Sequence, residues 1–279
     1  MNRRSLLSVL SAAALVAAAA PAAGQERTLP ISTIPRTGGE RVAYQAGGAE
    51  SADGRAAAAQ LRGNGAEARA LLAEAIRTAP TAAARLQLMD AVSVSWLYDG
   101  DGRNAALAMR AMMDEAARAG RADLAAGMHL RLAMADGALG RGRSVGEFLA
   151  GSPALGTPYG QASAAMAYAL AGQADSATAY AALFDRAARE SGNAGMLASA
   201  HVVNGYAMLA GRRCGPALTE FSSGDQQSAM VLSGLSECYA MIGDRVQARQ
   251  FRDQVMARTS LDLYDDWEAL TRYRLRSIR

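Results

Sequence analysis

The residues whose types could do chemistry are few, and their spacing argues against most of the chemistry they could do. Gly142-Arg143-Ser144-Val145-Gly146 matches G-x-S-x-G, the elbow that presents a hydrolase's nucleophilic serine. That elbow works only where a strand turns into a helix, and the preceding "LAMADGALGR" is helical in pattern and has no β-branched run. A turn between paired helices is the expectation for this stretch. "YDGDGRN" places Asp99 and Asp101 where a calcium loop has its first and third ligands. Arg103 and Arg110 then occupy the fifth and twelfth positions, where oxygen ligands belong, so a turn closed by an Asx cap is expected instead. His129 and His201 are the only histidines, 72 residues apart with no cysteine beside either, a spacing that does not suit a shared zinc site. Each is read as a polar contact between helices. No catalytic, cofactor-binding or metal-ligating residue is nominated, and no cofactor is expected.

Cys214 and Cys238 make the remaining pair, and their reading depends on the chain's destination. Arg3 and Arg4 precede the apolar "LLSVLSAAALVAAAA" and the small-residue "PAAG", the three parts of a secretory signal over residues 1–24, with cleavage near Gly24. The apolar run, at 15 residues, is shorter than the roughly 20 a membrane-spanning helix needs. Asn2 stands where a twin-arginine signal carries Ser or Thr, and no cysteine lies near the cleavage point for a lipid anchor. A periplasmic or secreted address follows, where disulfides persist. Cys214 and Cys238 fall on either side of a turn near Gly224-Asp225, at heights that an antiparallel hairpin brings side by side. A disulfide between them is expected.

Two of the 29 basic residues lie in the signal, leaving 27 against 26 acidic ones, and every basic residue is Arg. That balance carries no nucleic-acid surface, which needs clustered positive charge, and no stable membrane anchor is expected either. Val, Ile and Thr total 26 residues in 279, so there is little material for strands. Residues 25–53 hold prolines and glycines without a sustained period and read as an irregular leader. Beyond them apolar residues recur at three and four, the helical period. Breaks at Gly, Asp-Gly or Pro divide 54–279 into helices over 54–62, 65–78, 81–98, 103–118, 121–139, 143–150, 159–171, 174–190, 194–210, 216–223, 227–242, 245–258 and 260–277. Ala and Leu on most sides leave none of them a strong charged face, and short connections make neighbours antiparallel.

"GNGAEARALLAEAIRTAP" places Gly63, Ala68, Leu72, Ala75 and Pro80 in order. "MVLSGLSECYAMIGDRVQARQFRDQV" gives Leu235, Tyr239, Gly243 and Ala248, while Tyr168, Gly172 and Ala177 repeat the set and Tyr98 with Gly102 begins it again. This resembles the tetratricopeptide repeat, in degenerate form, over roughly 54–258. The resemblance implies an all-α solenoid of about six antiparallel pairs, with turn glycines at 63, 102, 142, 172, 211 and 243. Tyr168 and Tyr239 would fill the wedge between a pair and its neighbour. The last helix reads as a C-terminal cap, with Leu263, Trp267, Leu270 and Tyr273 on one stripe. Asp265, Asp266, Arg272 and Arg276 would face away.

A solenoid of this kind holds a peptide or a partner's helix on its concave face. The repeat register puts Met89, Val92, Trp96, Tyr159, Met166, His201, Met230, Glu237 and Met241 there. A non-catalytic, exported protein-interaction module is the expected function, with an exported hydrolase on a helical scaffold as the alternative class.

Overall fold

The computed structural model describes residues 52–226, 228–257 and 266–277. The signal segment, nearly all of the leader, Leu263 and Asp265 lie outside these residues. Among the described residues there are thirteen α-helices and no strand, and 84% of the positions are helical. In chain order they are α1 (Ala52–Leu61), α2 (Gly65–Thr78), α3 (Ala82–Tyr98), α4 (Gly102–Arg118), α5 (Ala122–Ala138), α6 (Gly142–Ala150), α7 (Pro158–Leu170), α8 (Ala174–Ser191), α9 (Ala194–Ala210), α10 (Cys214–Ser223), α11 (Ala229–Ile242), α12 (Arg245–Met256) and α13 (Asp266–Ser277). A short 3-10 turn, Pro153–Gly156, precedes α7. None of these helices is long and apolar enough to cross a membrane.

The helix starts are set by side chains that accept the first free backbone N–H groups. Asn64 accepts from Glu67, Thr81 from Ala84, Asp101 from Asn104, Thr157 from Gly160, Asn193 from Met196 and Asp244 from Gln247. Asp101 thus serves as the Asx cap expected of "YDGDGRN". The backbone N–H of Asn104 is the first of the groups holding its carboxyl below the usual range, with the Asn104 side chain next. Asp99 has a structural role too, binding the Arg69 guanidinium at 2.6 Å and the Gln60 amide at 2.7 Å.

Consecutive helices pack on one another along the chain, in two layers. The first helices α3, α5, α7, α9 and α11 are apolar on most sides and bury residues around most of their circumference. The second helices α4, α6, α8 and α12 have a narrow buried stripe and a polar outer face. The sequence expectation of no strong polar face therefore holds for the inner layer and fails for the outer one. A helix that is apolar all round must be covered on both flanks. For the inner layer, the outer helices cover only one.

The turns correct the sequence reading in one respect. Within each pair, the left-handed residues are Gly63, Gly100, Gly140, Gly172, Arg212 and Gly243. Gly102 and Gly142 instead open second helices, where they allow close approach. A Cβ on Gly102 would lie 2.6 Å from Leu139 Cδ2, and one on Gly142 would lie 2.5 Å from Gln173 Nε2. A rule follows from these contacts: the first residue of a second helix meets the end of the next pair's first helix. Gly65 meets Asp99, Gly102 meets Leu139, Gly142 meets Ala171 and Ala174 meets Gly211. Cys214 holds that position in α10 and meets Met241 of α11.

Ala68 and Ala177 are fully buried where paired helices cross. Tyr168 stacks on Tyr180 at 5.8 Å and Tyr239 on Phe251 at 5.6 Å. Each tyrosine thus faces the second helix of its own pair.

Candidate functional site

The missing cover of the inner layer is α13. It packs against α11 and α12 of the last pair and also against α3 and α5, far earlier in the chain, so it crosses the inner face as well as meeting the end of the stack. The expectation of a terminal cap leaves out those distant contacts. Leu270, Thr271 and Arg274 close a crevice lined by Met134, Met166, Leu170, Tyr206, Met230 and Ser233. Leu275 joins Ala229, Leu232 and Val255 in a small apolar cluster, and Tyr273 lies over Gly102.

Charge also fixes the helix in place. Arg274 donates to Glu237 Oε2 at 2.8 Å, and Glu237 is 8% exposed. Burial raises the Glu237 carboxyl pKa above its ordinary value, and the Arg274 charge works against that rise. Glu237 Oε1 has no hydrogen-bond partner. Within α13, Arg272 pairs with Glu268 at 2.9 Å, both buried, and its guanidinium sits over the Tyr98 ring at 5.5 Å. The sequence expectation that Arg272 faces away is thus reversed. It lies on the buried side because Glu268, one turn earlier, balances its charge and Tyr98 offers it a π face.

The nine residues expected on the concave face fall in several surroundings. Met166 and Met230 line the crevice under α13, and Glu237 anchors the helix. Met89 packs in a separate cluster with Leu86, Met112 and Met128, and Val92 and Tyr159 pack against the main core. Trp96 lies beneath the Arg69 guanidinium, 3.5 Å from its ring centroid. His201 meets Glu220 of α10 through Nδ1 at 2.8 Å, as an interhelix polar contact. Met241 is 41% exposed and lies against the Cys214 thiol.

Sequence reasoning missed Arg274, Thr271 and Tyr206 as parts of this site, while Leu270 was expected on the apolar stripe of the last helix. The available signal was the i,i+4 pair Glu268–Arg272 beside Leu270, which marks a helix with charge on its apolar side.

The disulfide expectation is corrected. Cys214 and Cys238 are both buried free thiols. The hairpin brings them to one level, but Cys238 Sγ lies 3.9 Å from the Cys214 carbonyl oxygen and the Cys214 thiol turns onto Met241 Sδ at 3.7 Å. A disulfide needs sulfurs at about 2.05 Å with facing Cβ vectors.

Ser144, the centre of the G-x-S-x-G match, lies in the first turn of α6 and follows no strand. Its hydroxyl donates to Asp136 Oδ2 at 2.7 Å. His129 faces Phe148 with ring centroids 6.4 Å apart, and its Nδ1 is buried without a hydrogen bond. It borders a shallow hollow of small residues that includes Ala122, Ala126 and Gly151. No three His, Cys, Asp or Glu side chains among the described residues converge as metal ligands.

Comparison of the chain with protein-family models, curated proteins and solved structures finds no match. The likeness to the tetratricopeptide repeat therefore rests on the residues quoted above.

Proposed function

We propose that this chain is a non-catalytic, exported interaction module: a solenoid of tetratricopeptide-like helix pairs whose inner face receives a partner's amphipathic helix. One observation carries the reading. The inner face already holds a helix, α13, bound by apolar contacts from Leu270 and Leu275 and by the Arg274–Glu237 ion pair. A groove that seats α13 selects for its chemistry: aliphatic anchors at helical spacing and a guanidinium aimed at a buried carboxylate. The partner would present the same features and displace α13.

The test uses the full chain and a labelled peptide of residues 266–279. Leu270→Asp combined with Arg274→Ala should release the internal helix and raise affinity for the added peptide at least about tenfold over wild type, the equivalent of 1.4 kcal/mol. Adding Glu237→Ala to that variant should reverse the gain. Equal peptide binding by wild type and the released variant would sink the proposal.

A further inference from the structure

Cys214, Cys238 and Met241 form a cluster of soft ligands at the C-terminal end of α11. Cys238 and Met241 are three residues apart on one helix, so they share a face. Cys214 reaches that face from the start of α10, its thiol 3.7 Å from Met241 Sδ, while the Cys238 thiol interacts with the Cys214 side chain and lies 3.9 Å from its carbonyl oxygen. The two thiols are not at disulfide distance. The 3.7 Å between the Cys214 and Met241 sulfurs suits two ligands of one soft ion, since metal–sulfur bonds near 2.3 Å in a trigonal plane put sulfurs about 4 Å apart, and the Cys238 thiol lies beside them against Cys214.

The position in the fold sharpens the point. The first residue of each second helix meets the end of the next pair's first helix, and at the other such junctions that residue is small: Gly65, Gly102, Gly142 or Ala174. At this junction alone among those described, a thiol fills the space, and it meets a thiol and a thioether. Burial separates the cluster from water on one side, with Cys238 fully buried and Cys214 6% exposed. Met241, at 41% exposed, gives an ion a way in.

We propose that Cys214, Cys238 and Met241 form a binding site for a soft monovalent cation of the Cu(I) class. Two thiolates and a thioether match the ligand preference of Cu(I), whereas Zn(II) demands four harder or anionic ligands in a tetrahedron and gains little from a thioether. On binding, both thiols lose their protons to solvent and the complex carries one net negative charge, with no change in oxidation state. Because both thiols must lose their protons to bind, affinity rises with pH.

The experiment is anaerobic titration of the reduced full-length protein with Cu(I) against a chromophoric Cu(I) chelator, with X-ray absorption on the loaded form. One Cu(I) per chain is expected, held by three sulfurs at about 2.3 Å. Cys214→Ser and Cys238→Ser should each abolish binding in that competition, with helicity checked by circular dichroism. Met241→Leu alters a partly exposed side chain and so tests the site without risk to the fold. It should cut the sulfur count from three to two and weaken binding at least about tenfold, the loss seen even for outer-shell partners. No Cu(I) retained against the chelator, or binding unchanged in Met241→Leu with the same sulfur count, would overturn the assignment.

Discussion

Phe221, fully buried at the end of α10, is held between two glycines of the inner layer. A Cβ on Gly234 of α11 would lie 2.2 Å from its Cζ, and one on Gly205 of α9 would lie 2.5 Å from its Cε1. The ring is also edge-on to Tyr206 at 5.4 Å, so it has no room to yield. In a helix interior, Gly→Ala ordinarily gains about 1 kcal/mol. Gly127 of α5 has nothing within 4 Å of where a Cβ would sit, so Gly127→Ala should show that gain in urea unfolding. Gly234→Ala meets the ring, and overpacking of about 1–3 kcal/mol exceeds the propensity gain. The two substitutions should therefore shift the unfolding midpoint in opposite directions. Two stabilising results would show that Phe221 can move. Neither glycine's role was legible in the sequence, because both sit inside runs of helical period that read equally well with alanine.

At the scale of the element, the helices themselves were readable. The 3.6 period and the Gly, Asp-Gly or Pro breaks placed α2 and α9 at their observed residues and the other helices within two residues at either end, except α13, whose expected start lies outside the described residues. What could not be read was the partner of α13. Its apolar stripe predicts burial, but a stripe does not say against what. Arg274 and Glu237 are 37 residues apart, and no local rule pairs them. Their contact gives a pH prediction. The Glu237 carboxyl is raised above its ordinary 4.5 by burial, so the folded state binds its proton more readily than the unfolded state does. Stability from this group is present at pH below the unfolded value and is lost as pH rises through the folded one. Wild type should therefore gain melting temperature relative to Glu237→Gln as pH falls from neutrality toward about 4.5, where Gln cannot respond. A difference that is flat over that range, or that grows with pH, would show that the Arg274 charge outweighs the burial.

Over the whole molecule, α13 changes how the stack holds together. In an open array of helix pairs each unit touches only its neighbours, and stability is a local sum. Here α13 touches α3 near one end and α11 near the other, which ties distant pairs into one cooperative body. Under the proposed function it would also compete with a partner from within the same chain. Every 1.4 kcal/mol of internal docking would weaken the apparent affinity of an external helix about tenfold, so such a module would stay closed to weak ligands and open to one that matched the groove better. Undocking should leave its mark on the remaining helices. Leu270 is 4% exposed, and introducing a charge there by Leu270→Asp removes its packing, worth about 2–5 kcal/mol for a buried leucine. Amide hydrogen exchange on that variant should show lost protection in α3 and α11 together, with the outer helix α8, which is not among the helices α13 packs against, close to wild type. Loss confined to α12 and α13 would instead mean that the last helix is an end cap and that the inner face is held by the pairs alone.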